Sequence, residues 1–286
     1  MSSSSIGSVG VIIPNYNYAR YLPERISSIV AQGSSVGAMA FLDDGSSDAS
    51  IAVAEPLLAN LSFPVHLQCN PVNSGSVLRQ WARGISHLDR PFLWIAEADD
   101  SARPGMLRAL VERLSADPSA SFAFCDSTAI DAEGAILEES TKPYAAALGD
   151  HILDNDVSLP GAEFTRRCLC PRNLVVNVSA VLWRAEALRS TLERLGKELD
   201  RWSCTCDWRV YVDAALTGGR IHYDARSLNL HRRHLSSLTK AVSRAKHFAE
   251  VVEMMTVLRG ALGRRTSQDA RMRQHLVDLK REWQLA

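Results

Sequence analysis

The chain has 286 residues, 46% hydrophobic and 22% charged, with 32 Lys and Arg balanced by 32 Asp and Glu. That length buries a substantial core, in one large domain or two small ones. The zero net charge weakens the case for nucleic acid, which selects a basic surface, so no nucleic-acid partner is expected, although a net total leaves room for a local basic patch. No apolar run approaches the roughly 20 residues that cross a bilayer. The segment Met1–Ser8 is Ser-rich and lacks the regions of a signal peptide, so a cytoplasmic protein with reduced thiols is expected.

In chain order, the apolar, β-branched run Val9–Pro14 predicts a buried strand. Leu22, Ile26, Ile29 and Val30 have helical spacing and predict a helix over Tyr21–Gln32. Ala38–Leu42 predicts a second strand, stopped by Asp43-Asp44-Gly45-Ser46. Ser47 and Asp48 are suited to cap a helix running to Leu58. Val65–Gln68 and Phe92–Ala96 read as further strands, with a helix over Ser76–Leu88 between them; Pro104 sits where the next helix would begin. Ser121–Cys125, Ala129–Ile130 and Ala135–Leu137 predict a strand and a hairpin turned at Asp131–Gly134.

Tyr144–Pro160 has little periodicity and reads as a loop. Val175–Trp183 and a helix to Leu195 resume regular structure. A helix over Cys206–Leu216 follows, stopped by Gly218-Gly219, and then short strands at Arg220–Tyr223 and Ser227–Leu230. From Ala241 two amphipathic helices are expected, broken near Gly260–Thr266.

Repeated strand–helix units predict an α/β fold, Rossmann-like, with an open, mainly parallel sheet and helices on both faces. Ligands bind such sheets outside the carboxyl ends of the strands. Asn15, Asp43-Asp44 and Glu97–Asp100 each follow a predicted strand, so three polar clusters converge on one edge.

Six cysteines include two C-x-C pairs, Cys168/Cys170 and Cys204/Cys206. They could form a four-thiolate zinc site, but the spacing favours buried thiols packing as small hydrophobes.

The segment Val9-Gly10-Val11-Ile12-Ile13-Pro14-Asn15-Tyr16-Asn17 resembles the opening strand of family-two glycosyltransferases. Leu42-Asp43-Asp44-Gly45-Ser46-Ser47-Asp48 resembles their second motif, and Trp94-Ile95-Ala96-Glu97-Ala98-Asp99-Asp100 their D-x-D metal motif. Asn73-Ser74-Gly75-Ser76 with Arg79-Gln80-Trp81 is similar to the segment before that motif. The ordered set is specific where each motif alone is weak.

The resemblance implies a GT-A fold and a nucleoside-diphosphate-sugar donor. It sets the base against Pro14, Asn15, Tyr16, Asp43 and Asp44, whose carboxylates can accept from an imide N–H or ribose hydroxyls. Arg79 and Gln80 are weaker donor-side candidates. Glu97, Ala98 and Asp99 would lie at the diphosphate, with Mg2+ or Mn2+ held by Asp99, Asp100 and His234; such ions combine a few carboxylates with substrate phosphates. Glu97 occupies a position usually held by Asp, which departs from the family pattern. Arg232 and Arg233, in Leu230-His231-Arg232-Arg233-His234-Leu235-Ser236, fall where related enzymes contact the diphosphate. Asp207, in Cys204-Thr205-Cys206-Asp207-Trp208, matches the general base that takes the acceptor's proton.

Each of these residues has a structural reading beside the functional one. Asp43–Asp48 can be a turn and cap, the acidic cluster a solvated loop, Asp207 an N-cap, and Arg79 and Gln80 a solvated helix face. Asn173 and Asn177 can orient substrate or act as buried amides. Trp183, Trp202 and Trp208 are better read as core than as sugar platforms. The apolar residues Phe248, Val251, Met254, Met255 and Leu258 among Lys and Arg suit a membrane-surface face, a dimer contact or a helix pair covering the domain.

Together these readings predict a catalytic domain over residues 1–239 and a helical extension over 240–286. The expected enzyme is a metal-dependent, hexosyl-type transferase. It would move a sugar with inversion to a hydroxyl of a glycan or lipid-linked acceptor, in bacterial surface polysaccharide or glycolipid synthesis. Its place would be the cytoplasm, or peripherally the inner face of the membrane. The rivals are a non-catalytic nucleotide- or carbohydrate-binding module and a sugar-phosphate nucleotidyltransferase; for the latter, Pro14-Asn15-Tyr16-Asn17 lacks the required Gly-rich basic loop.

Overall fold

The computed structural model describes residues 6–147, 149–234, 243–263 and 266–285. The expected boundary between residues 239 and 240 lies outside the described residues.

Among the described residues the strands form one ten-stranded sheet. Its first half is β1 (Val9–Asn15), β2 (Val36–Asp43), β3 (Val65–Cys69) and β4 (Phe92–Ile95), in the spatial order β3-β2-β1-β4 and parallel throughout. β1 is buried along its whole length, as a strand covered on both faces must be, which explains its unbroken apolar run. Its side chains alternate between two cores. Val9, Val11 and Ile13 meet α1 (Leu22–Val30), α2 (Ser50–Ala59) and α4 (Met106–Ala116) on one face. Ile12 meets Leu78, Trp81 and Ile85 of α3 (Val77–Ser86) on the other. The register pairs Asn15 with Asp43 and Ile12 with Ile95, so the polar residues after β1, β2 and β4 emerge side by side.

Beyond β4 the sheet is mixed. β9 (Val181–Arg184) runs antiparallel between β4 and β6 (Ala120–Ile130). β6 pairs in parallel with β10 (Arg220–Arg232), while β5 (Ser101–Ala102) and β8 (Val157–Pro160) lie antiparallel to β10 and β7 (Ile136–Glu138) antiparallel to β6. The expected α/β architecture, with helices on both faces and a helical extension, is present. Its second half departs from simple strand–helix alternation.

The remaining helices are α5 (Lys142–Ala146), α6 (Gly161–Cys168), α7 (Ala185–Leu195), α8 (Cys206–Leu216), α9 (Arg244–Leu262) and α10 (Thr266–Glu282). Three local differences from expectation have physical causes. β6 continues through Asp126 because that buried carboxylate accepts from Ser140 Oγ (2.5 Å), Thr141 N (3.0 Å) and Ser227 Oγ (2.5 Å). β10 is one strand with register irregularities near Asp224 and Ser227, where Arg113 and Arg226 pair with the buried Asp224. The segment expected as a loop over Tyr144–Pro160 contains most of α5, a 3-10 turn (Ile152–Asp154) and β8, whose order comes from pairing with β10.

The extension packs on the sheet-bearing part of the chain. Val251, Met254, Met255 and Leu258 join the same core as α3 and α8, so this stripe covers the domain. No helix among the described residues is long and apolar enough to cross a membrane. Cys168, Cys170 and Cys206 are buried thiols and Cys204 is half-buried. Among the described residues no three His, Cys, Asp or Glu side chains gather closely enough to hold a metal by themselves.

Candidate active site

A cavity of about 890 Å³ opens at the carboxyl ends of β1 and β4. The turn after β1 forms one side, with Pro14, Asn15 and Tyr16 in the wall. Asn15 donates to Asp43 Oδ1 (2.7 Å), and Asp43 also accepts from Ser46 N (2.9 Å). Asn17, at φ 60, has its Oδ1 accept from Ser47 N (2.7 Å) and thereby ties this turn to the one after β2. Asp43 is therefore the clamp beneath the wall, while Asp44 lies in the wall itself. The Asp44 carboxylate accepts from Asn70 (2.6 Å), Gln80 (2.6 Å) and Ser74 Oγ (2.8 Å). These bonds place Gln80 at the cavity. Arg79, one residue earlier, points away and forms a forked, exposed ion pair with Asp200.

The acidic cluster follows β4. Ala98 is buried in the core beneath it, while Glu97, Asp99 and Asp100 face the cavity. Asp100 is pinned: its two oxygens accept from Arg232 N (2.9 Å) and Asn177 Nδ2 (2.9 Å). Asn177 is held in turn by Asn229 (2.9 Å). Burial, and then the neighbouring Asp99, push the Asp100 carboxyl above its ordinary range. Asp99 meets His234, with Oδ2 2.8 Å from Nε2, and Tyr18 stands edge-on to that imidazole. Glu97 is pushed up to about 8 by burial and then by Asp99 and Asp100. Its Oε1 is buried without a hydrogen-bond partner.

Arg232 is also committed. Its guanidinium donates to the Asp99 carbonyl (2.8 Å), the Asp131 carbonyl (3.0 Å) and Glu24 (2.5 Å). Arg233 pairs with Glu138 (2.7 Å) at the rim. Both touch the cavity, but the first builds the acidic turn and the second is the more exposed charge.

Behind the cluster lies a residue that nothing in its local sequence marks out. Arg25 on α1 is fully buried, stacks over the Trp94 ring at 4.7 Å and donates to Ser179 Oγ (2.9 Å). Burial lowers its guanidinium to about 10 against the attraction of Asp100, Asp99 and Glu97. It supplies a fixed positive charge beneath three carboxylates.

The opposite wall comes from later in the chain. Asp207 lies in the first turn of α8, one residue inside the helix, while Thr205 holds the cap position without a side-chain cap bond. The N-cap reading of Asp207 thus falls to Thr205. Asp207 faces the cavity near Asn173, whose Nδ2 lies 3.3 Å from Oδ2. Burial pushes its carboxyl up to about 6. The wall is completed by Tyr144 and Arg172, stacked at 3.8 Å, and by His247, His275, Leu279 and Trp283 of the extension. None of those last six stood out in the sequence, because only the fold brings them to one surface. Trp183 and Trp202 are buried in the core, and Trp208, also buried there, borders the cavity.

The fold defines the class: it is that of GT-A glycosyltransferases. TarS from S. aureus, solved with UDP-GlcNAc, matches with a TM-score of 0.64 at 14% identity, over 98% of this chain and 73% of that one. The mannosyltransferase PcManGT from Pyrobaculum calidifontis, solved with GDP-Man and Mn2+, matches with a TM-score of 0.61 at 15% identity, over 98% of this chain and 88% of that one. Residues 10–147 match the model of glycosyl transferase family 2. An uncharacterized glycosyltransferase of Nostoc sp. is 33% identical over 106 residues, or 36% of this chain. That match spans 32% of the Nostoc protein.

Proposed function

We propose that the protein transfers a sugar, with inversion, from a nucleoside-diphosphate sugar to an acceptor hydroxyl. The observation that carries this reading is the pairing of two unlike walls across one cavity: Asp44, Glu97 and Asp99 on one side, and a carboxyl held near 6, Asp207, on the other. The nucleotide lies against Pro14–Tyr16 and Asp44, and the diphosphate reaches toward Asp99. Asp207 takes the proton of the acceptor hydroxyl as that oxygen bonds to the anomeric carbon. The bond from that carbon to the diphosphate oxygen breaks, and its electron pair leaves with the diphosphate. A transition state with oxocarbenium character is expected, as in other glycosyl chemistry.

A divalent cation, Mg2+ or Mn2+, suits the donor side. The donors present are the Asp99 carboxylate and the His234 imidazole, with the unpartnered Glu97 Oε1 nearby. Two protein ligands plus phosphate oxygens make a sufficient set for such ions. When bound, the ion would neutralise charge on the departing diphosphate. Asp100, whose oxygens are already occupied, supports the turn that aims Asp99. Arg233 is the basic group best placed to exchange its surface partner for a phosphate. A glycan or lipid-linked acceptor in bacterial surface-polysaccharide or glycolipid synthesis, met in the cytoplasm or at the inner membrane face, completes the reading.

The test is donor turnover across a panel of nucleoside-diphosphate sugars, each with and without Mn2+, using wild type, Asp99→Ala and Asp207→Asn. Turnover in wild type and its loss in both folded variants supports the reading; full turnover in either variant overturns that residue's role.

A further inference from the structure

Glu250 lies on α9, at 5% exposure. A buried carboxylate is costly unless hydrogen bonds replace its water. No salt bridge among the described residues reaches it; its partners are donors from one short segment. The carboxylate accepts from Ser203 N (3.1 Å), Ser203 Oγ (2.5 Å), Cys204 N (2.8 Å), Thr205 N (3.1 Å) and Thr205 Oγ1 (3.3 Å). Burial pushes its pKa upward, but these bonds outweigh burial and hold it below the ordinary value.

That segment is the turn that launches α8, two residues before Asp207, and Ser203, Cys204 and Thr205 all line the cavity. The α8 cap residue, Thr205, supplies no side-chain cap bond of its own. The carboxylate from α9 instead gathers three successive backbone N–H groups as charge-assisted bonds. A second contact, between Arg201 and Glu253, ties the same turn to the same helix.

We propose that Glu250 is a positioning residue that fixes the 203–205 turn and so aims Asp207, making the C-terminal extension a working part of the active site. This rests on the reading of Asp207 as the base. Its reach is through geometry: a reacting group misplaced by about 1 Å can lose about 10²-fold in rate.

The test uses the full chain and two substitutions that separate shape from acceptor chemistry. Glu250→Gln keeps the shape and gives up one acceptor oxygen; Glu250→Asp keeps the carboxylate and shortens it. The expected result is a kcat lowered about tenfold or more in the Gln variant, with donor KM within about twofold, and a smaller loss in the Asp variant. A shape-only role reverses that order and would overturn the proposal, as would a Gln variant with wild-type kcat.

A double-mutant cycle supplies the second readout. If Glu250 acts through Asp207, then Glu250→Gln added to Asp207→Asn costs nothing further in residual turnover; a full second loss overturns the proposal. Should the Gln variant not fold, Ser203→Ala removes only the 2.5 Å bond. A kcat drop of about threefold that vanishes in the Asp207→Asn background is then expected; an unchanged kcat overturns the proposal. An active Asp207→Asn enzyme would instead sink the base reading itself.

Discussion

The two walls of the cavity are held in different ways. Around Asp43 and Asp44 the contacts come from the first 80 residues, whereas the acidic turn is held by Asn177, Arg232 and His234 from far along the chain. Asn15, Asp43 and Ser46 clamp adjacent turns, and Asn70, Ser74 and Gln80 hold Asp44. Parallel strands deliver all of them to one edge. The far wall is assembled from pieces separated by much longer stretches of chain: Tyr144 and Arg172, then Asp207, then the extension. The turns after β1 and β2 are tied by local motifs, and the remainder of the cavity is assembled by the fold.

The largest expected effects separate the two walls at their reacting groups. Asp207→Asn should lower kcat by about 10²–10⁴-fold, the usual worth of a general base, and leave nucleotide binding intact. Asp99→Ala should lower turnover and also abolish any added thermal stabilisation that Mn2+ gives to the nucleotide complex. Equal nucleotide responses in the two variants would erase the division of labour. The pH profile gives the same division another readout. A base acts deprotonated, and Asp207 is held at about 6 by burial. In wild type kcat should rise with pH through about 6 and fall below it. A flat profile from pH 5 to 7 would remove Asp207 from the proton transfer.

Next in size is the support beneath the donor wall. Arg25 is a fully buried cation facing the acidic cluster. Replacing it by Met leaves the carboxylates without their internal counter-charge. A loss of about 3 kcal/mol in unfolding free energy is expected, the scale for breaking a buried charge arrangement from one side. Chemical denaturation measures it, and an unchanged midpoint and slope would show that the buried carboxyls take up protons when the cation is lost. The far wall should respond differently. Trp283→Ala removes an aromatic face from the cavity and should raise acceptor KM about fivefold, in line with one lost ring contact, at constant donor KM. A change in donor KM instead would place the nucleotide against the extension.

The same contrast explains what the sequence made legible. Strands β1, β2 and β4 and the polar residues after them are readable because buried parallel strands are apolar runs ended by acidic or amide side chains. Asp207 was reachable only through its position in a family pattern, since burial and the Asn173 contact that tune it lie outside its own segment. Arg25 looked like one more charge on an amphipathic helix; nothing local says that it points inward. Glu250 likewise sits among other charges, and only the docking of α9 reveals its donors. The helix and strand within Tyr144–Pro160 were missed because β8 is half-exposed, and its pairing partner β10 lies some 60 residues away in chain order.

Arg79 marks the smallest expected effect and bears on where the donor wall ends. Its place in a motif suggests a donor contact, yet its guanidinium is spent on Asp200 at the surface, with both side chains about half exposed. Exposed pairs of this kind contribute little, so Arg79→Ala should leave the melting temperature and kcat unchanged, and donor KM within about twofold. Gln80, its neighbour, is buried and donates to Asp44 at 2.6 Å. Its replacement by Ala should raise donor KM several-fold, because the Asp44 carboxylate loses a buried donor. If the order were reversed, with Arg79→Ala the more damaging, the arginine would have to leave Asp200 when the donor binds. The ion pair would then be a resting contact, and the donor wall would extend across α3.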